Sequence, residues 1–133
     1  MLILVGKAGV GKTAVREELA ERLSLRSLGP DDFPGRWRDV YAELNDSCIL
    51  ECCQIPAAVR QRMNGATIVE LVAPDSVRHQ RLKQQGLSSL DIARRLVENR
   101  NGSLGYEERI EPTMIVETTE PPAVVAERIV KRL

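Results

Sequence analysis

Five short apolar runs divide the chain, and between them apolar residues recur at helical spacing. "LILVG" (2–6) is unbroken and apolar, the pattern of a parallel strand buried on both faces. Val15, Leu19 and Leu23 then return every four residues among Arg and Glu, which predicts an amphipathic helix over about 12–24. "LRSLG" (25–29) and "SCILECC" (47–53) read as the second and third strands. Short helices are expected after each, at 36–44 and at 56–63, the latter with Pro56 in its first position. "ATIVELVA" (66–73) is the fourth strand, and Pro74 opens a helix of about eleven residues that stops near Gly86.

The next segment, "LSSLDIARRLVENRN" (87–101), carries Ser88 and Asp91 at capping-box spacing. Leu90, Ala93 and Val97 fall along one face of that helix, and Asn101–Gly102 ends it. "TMIVETT" (113–119) is the fifth strand. After Pro121–Pro122 a last helix turns Val125, Ile129 and Leu133 inward.

Strand–helix alternation of this kind predicts an α/β fold, a parallel sheet covered by helices on both sides. With 133 residues there is material for one core, so a single domain over 1–133 is expected. Nineteen basic and nineteen acidic side chains cancel, which leaves no global field to draw in nucleic acid or an anionic membrane. Aromatic residues make up 3%, too few for a base-stacking platform. No apolar run approaches membrane-spanning length, and "MLILVG" is too short for a signal-peptide apolar region. Cys48, Cys52 and Cys53 form neither an even set nor a C-x-x-C pair. They read as packed thiols in a reducing, cytoplasmic setting.

The segment "GKAGVGKT" (6–13) changes the picture. It matches G-x-x-x-x-G-K-[ST] in full, between an apolar strand and an amphipathic helix. Gly6, Gly9 and Gly11 let backbone N–H groups turn inward around an anion, with Lys7, Ala8 and Val10 supplying the rest of the loop. The helix that follows, through Thr13 and Ala14, aims its positive dipole end at the same point. Lys12 reaches the β- and γ-phosphates, and the Thr13 hydroxyl can ligate Mg²⁺. ATP and Mg²⁺ are the expected cofactors.

With that motif the chain resembles the small P-loop kinases: nucleoside monophosphate, shikimate and gluconate kinases, antibiotic phosphotransferases and polynucleotide 5′-kinases. A GTPase fits badly, because no D-x-x-G follows the third strand and no N-K-x-D is present. The resemblance implies a P-loop NTPase fold, three layers α/β/α around a five-stranded parallel sheet. It implies transfer of the γ-phosphoryl of Mg·ATP to a hydroxyl or phosphate of a small metabolite, nucleoside or nucleotide.

"DDF" (31–33), in "LGPDDFPGRW", is similar to the D-D-[FY] of polynucleotide-kinase-like members at the end of the second strand. That correspondence makes Asp31 the base that deprotonates the acceptor hydroxyl and Asp32 its helper; the plain alternative is a solvated turn. Glu51 ends the third apolar run and would hold Mg²⁺ or the acceptor, unless it simply faces water. Trp37 and Tyr41, four apart on one face, would stack the acceptor while Arg36 or Arg38 grips an anionic group, or the aromatic pair would be core.

"VRHQRLKQQGLSSLDIARRL" (77–96) looks like the lid of guanylate-kinase-like and ribose-bisphosphate-kinase-like proteins, which sets a lid segment at about 78–102. Arg81 and Arg95 fall on its arginine positions and would stabilise the transferring phosphoryl group; the alternative is a solvated helix face. Where those families place an arginine before the glycine this chain has Gln85, and Arg78 or Arg94 could substitute. "ETT" (117–119) lies where such kinases form an adenine-contacting loop.

Two rival readings remain at this point. One is a polynucleotide 5′-hydroxyl kinase, favoured by "DDF" and disfavoured by the neutral charge. The other is a nucleotide-responsive ATP-binding protein with no acceptor, which the short 33–46 stretch and Gln85 would suit.

Overall fold

A computed structural model describes residues 1–29, 42–52, 65–98 and 111–133. The strands are β1 (Leu2–Val5), β2 (Arg26–Leu28), β3 (Cys48–Cys52), β4 (Thr67–Val72) and β5 (Met114–Glu117). The helices are α1 (Lys12–Leu23), α2 (Asp75–Gln84), α3 (Ser89–Glu98) and α4 (Pro122–Arg132). The expected helices at 36–44 and 56–63 lie largely outside the described residues, as do Asp31, Asp32, Arg36, Trp37, Arg38, Tyr41 and Cys53.

All five strands join one parallel sheet in the order β2-β3-β1-β4-β5. The unbroken run 2–5 takes the middle position, which explains why all four of its residues are buried. In register, Leu4 pairs with Glu51 of β3 on one side and with Val69 of β4 on the other.

Side-chain alternation sorts the core into two layers. On one face Leu2, Leu4, Ile49, Val69, Leu71, Met114 and Val116 pack against Val15 and Leu19 of α1 and Val125, Ala126 and Ile129 of α4. On the other, Ile3, Val5, Leu28, Cys48, Leu50, Cys52 and Ile68 form a second cluster, with Met1, Leu44 and Ala66 against it. Each such aliphatic side chain removed from water contributes about 1.5–3 kcal/mol. Cys48 and Cys52 are buried among the apolar side chains of this second cluster.

Element ends follow local chemistry. Ser24 closes α1 in the left-handed region at φ 53°, and the Leu25 N–H returns to the Ala20 carbonyl at 2.9 Å. That cap takes Leu25 out of the second strand, so β2 is shorter than the sequence pattern implies. Ser88 caps α3 at the spacing the sequence predicts: its Oγ accepts from the Asp91 N–H at 3.2 Å and donates to Asp91 Oδ2 at 2.9 Å.

Two expected inward faces are corrected. On α3, Leu90 is 63% exposed and Ala93 is also exposed, whereas Ile92 is buried at 3%. The helix packs on α2 through a face rotated from the one its Leu–Ala spacing suggests. On α4, Val125 and Ile129 are buried as expected, but Leu133 lies beyond the last turn and is exposed. Among the described residues no helix is long and apolar enough to cross a membrane.

Candidate active site

The loop between β1 and α1 lies at the carboxyl end of the central strand, where open parallel sheets bind ligands. Gly11 is the N-cap of α1 and makes no side-chain cap, and the first turn holds no acidic residue. The leading N–H groups of α1 therefore face the loop without a side-chain acceptor, which suits an anion. Lys12 Nζ donates to the carbonyls of Gly6 at 2.7 Å and Lys7 at 3.0 Å, so the ammonium spans the loop.

The loop is held from outside by α2. Arg78, 2% exposed, donates from Nε to the Ala8 carbonyl at 2.8 Å and from Nη1 to Asp75 Oδ1 at 3.0 Å. Arg81 Nη1 donates to the carbonyls of Gly9 at 3.3 Å and Val10 at 3.1 Å, and Arg81 Nη2 donates to the Thr118 carbonyl. The Thr118 hydroxyl, at the end of β5, accepts from Arg81 and donates to the Val10 carbonyl at 2.5 Å. A peptide plane points its N–H opposite to its C=O. Drawing the Ala8 and Val10 carbonyls toward the arginines therefore turns the Gly9 and Gly11 N–H groups the other way, into the concavity. Gly9 has φ +81°, and a Cβ there would stand 2.9 Å from the Arg78 carbonyl oxygen, so only glycine fits between loop and helix.

Glu51 reaches the site through the parity of β3. Ile49 and Glu51 share the face toward α1, while Leu50 and Cys52 face the opposite layer. The Thr13 hydroxyl donates to Glu51 Oε1 at 3.0 Å, and Arg16 Nη1 lies 3.6 Å from the same oxygen. Glu51 is 5% exposed, and its Oε2 is buried with no hydrogen-bond partner among the described residues. A buried carboxylate oxygen left open beside a hydroxyl is the donor set that a hard cation such as Mg²⁺ takes. Thr13 and Glu51 thus fit the metal that the phosphate loop implies, and that metal would neutralise charge on the phosphates.

A cleft of about 990 Å³ opens over these groups, lined by the loop, Thr13, Glu51, Arg81, Arg95 and the Thr118–Pro122 turn. It brings together residues 8–14 of the loop, Glu51, Arg81 and Arg95, whereas Gly6 and Lys7 are not among its lining. Arg78, offered as a substitute for the arginine absent at Gln85, is not among the lining residues and is buried against the Ala8 carbonyl. Arg94 is exposed on α3. The residues expected on the acceptor side, Asp31, Asp32, Arg36 and Trp37, lie outside the described residues.

Arg16 escaped the sequence reading, whereas Arg78 and Thr118 entered it in other roles, as a substitute lid arginine and within an adenine-contacting loop. Arg16 follows Lys12 by four positions and so shares its helix face, a signal available in the spacing. Arg78 and Thr118 carry no such mark, because their partners are seventy and 108 positions away.

No family model and no curated protein sequence matches the chain. Solved structures do. A sugar kinase from Janibacter sp. superposes with TM-score 0.66 at 19% identity, covering 98% of this chain and 91% of that one. A gluconokinase from Sinorhizobium meliloti gives TM-score 0.65 at 17% identity, over 98% and 89%. A shikimate kinase from Aquifex aeolicus gives 0.66 at 18%, over 99% and 95%. The chain has the three-layer α/β/α fold of the small P-loop kinases.

Proposed function

We propose that this protein is an ATP-dependent kinase that moves the γ-phosphoryl of Mg·ATP to a hydroxyl or phosphate of a small metabolite, nucleoside or nucleotide. The observation that carries the reading is the Thr13–Glu51 contact beside the Lys12 loop, at the cleft that Glu51 lines, with the Glu51 Oε2 buried and without a hydrogen-bond partner among the described residues. The names of the structural neighbours, sugar, gluconate and shikimate kinases, support a small-molecule acceptor rather than a nucleic-acid end.

In this reading the loop 6–14 and Lys12 bind the phosphates, and Thr13 and Glu51 hold the metal. Arg81 and Arg95 flank the cleft and offset charge on the transferring group. Asp31 takes the acceptor proton, with Asp32, Arg36 and Trp37 on the acceptor side. Gly29 supports that placement: a Cβ on it would lie 3.3 Å from Glu51 Oε1, and Asp31 is two positions further along the chain. In-line transfer needs a base close to the acceptor hydroxyl and the γ-phosphorus.

The test is a panel of sugar acids, hydroxylated carboxylic acids, nucleosides and nucleotides incubated with Mg·ATP and the purified chain, read by mass spectrometry. A phosphorylated product that Asp31→Asn abolishes, with ATP binding intact, is the expected result. ATP hydrolysis without transfer to any acceptor would defeat the reading.

A further inference from the structure

Thr13 and Arg16 approach one and the same oxygen of Glu51 from one helix face, and neither hydrogen-bonds the other oxygen. Both lie on the side of α1 that meets β3, because residues three apart on a helix share a face. The pair is enclosed: the side chains of Arg16 and Glu51 are 12% and 7% exposed. An ion pair this shielded from water and salt constrains its carboxylate more firmly than a surface pair does.

The end of β2 is shaped around the guanidinium. A Cβ built on Gly29 would lie 1.8 Å from Arg16 Nη1 and 3.0 Å from its Cζ. Neither atom could stay in place against any other residue type there. Three elements thus meet at one point: α1 supplies Arg16, β3 supplies Glu51, and β2 supplies the space.

We propose that Arg16, seated over Gly29, is a positioning residue that fixes the Glu51 carboxylate in one orientation for the metal–nucleotide complex. The inference rests on the reading of Glu51 as a metal-holding residue. A carboxylate anchored by Thr13 alone can pivot about that single hydrogen bond. With the guanidinium on the same oxygen the rotation is restrained, and the second oxygen keeps one direction. Partners that orient a ligand in this way are worth about ten- to a hundredfold in metal affinity when removed.

The experiment is calorimetric binding of a non-hydrolysable ATP analogue, once with Mg²⁺ and once with EDTA, to the wild type and four variants. The readout is the ratio of the two dissociation constants, which a loss of general stability does not move. Arg16→Met is expected to shrink the Mg²⁺-dependent tightening about tenfold while leaving the EDTA value unchanged. Arg16→Lys should recover part of it. Gly29→Ala should reproduce the Arg16→Met effect with Arg16 still present, and it keeps the test open if Arg16→Met does not fold. Glu51→Gln separates the two levels: it should lose the tightening. If Glu51→Gln loses it while Arg16→Met and Gly29→Ala retain it, the positioning role is overturned and the metal reading stands. If Glu51→Gln retains it, both fall.

Discussion

The Nε of Arg78 donates to the carbonyl oxygen of Ala8 across 2.8 Å, joining positions seventy residues apart. The buried guanidinium ties the first turns of α2 to the phosphate loop, and its carboxylate partner Asp75 remains 65% exposed. Arg78→Met removes the donor and leaves Asp75 solvated, so the loss is that of a charged hydrogen bond, about 1.5–3 kcal/mol. Urea denaturation should show that drop, and the ATP analogue should bind more weakly. An unchanged unfolding midpoint together with unchanged affinity would show that the loop holds its shape without α2.

Thr118→Val tests the same bracing from the other end. Valine nearly matches the volume of threonine but leaves the Val10 carbonyl without the hydroxyl. An unmade hydrogen bond at a buried site costs about 1–3 kcal/mol. Thermal unfolding should register the cost, and analogue affinity should fall with it. A variant as stable as the wild type would mean that Arg81 alone satisfies that carbonyl.

Lys12→Ala removes the ammonium that spans Gly6 and Lys7. ATP turnover should fall on the order of a hundredfold or more, the scale of losing one electrostatic stabiliser of a developing charge. Added EDTA should stop the wild-type reaction, and excess Mg²⁺ should restore it. Turnover that survives both treatments would remove the phosphate loop from the chemistry.

A paired substitution on α3 tests the corrected packing. Ile92→Ala should cost about 2–5 kcal/mol because it empties a buried site. Leu90→Ala, at an exposed position, should stay within about 0.5 kcal/mol. Denaturant midpoints decide the matter, and equal losses would return Leu90 to the core.

Much of this architecture was legible because it is carried by local signals. The run 2–5, the Val15–Leu19 spacing and the full "GKAGVGKT" motif each declare an element within a few residues. The Ser88 cap is equally local. Helix facing on α3 was not legible: Leu90, Ala93 and Ile92 all fit some apolar stripe, and only packing on α2 selects Ile92. The arginines show the limit more sharply. Arg78 and Arg81 look alike in sequence, three apart on one helix. One is buried against Ala8, whereas the other also lines the cleft, a division set by the fold of the loop beside them. Arg81 was expected from a lid motif, yet four of its contacts are to the loop and to Thr118.

The two-residue period of β3 bears on how the site could change over generations. Ile49 and Glu51 look toward α1, and Leu50 and Cys52 look away. Deleting one residue inside the strand would not weaken the carboxylate by degrees. It would bring a neighbouring side chain, the Cys52 thiol or Leu50, to the Thr13 hydroxyl and turn the acid into an apolar layer. A hard oxygen donor would be exchanged for a soft sulfur or for none. Point substitutions along β3 can be sampled one at a time, but a change in its length is all or nothing. The site therefore has a reading frame of its own, set by the pleat.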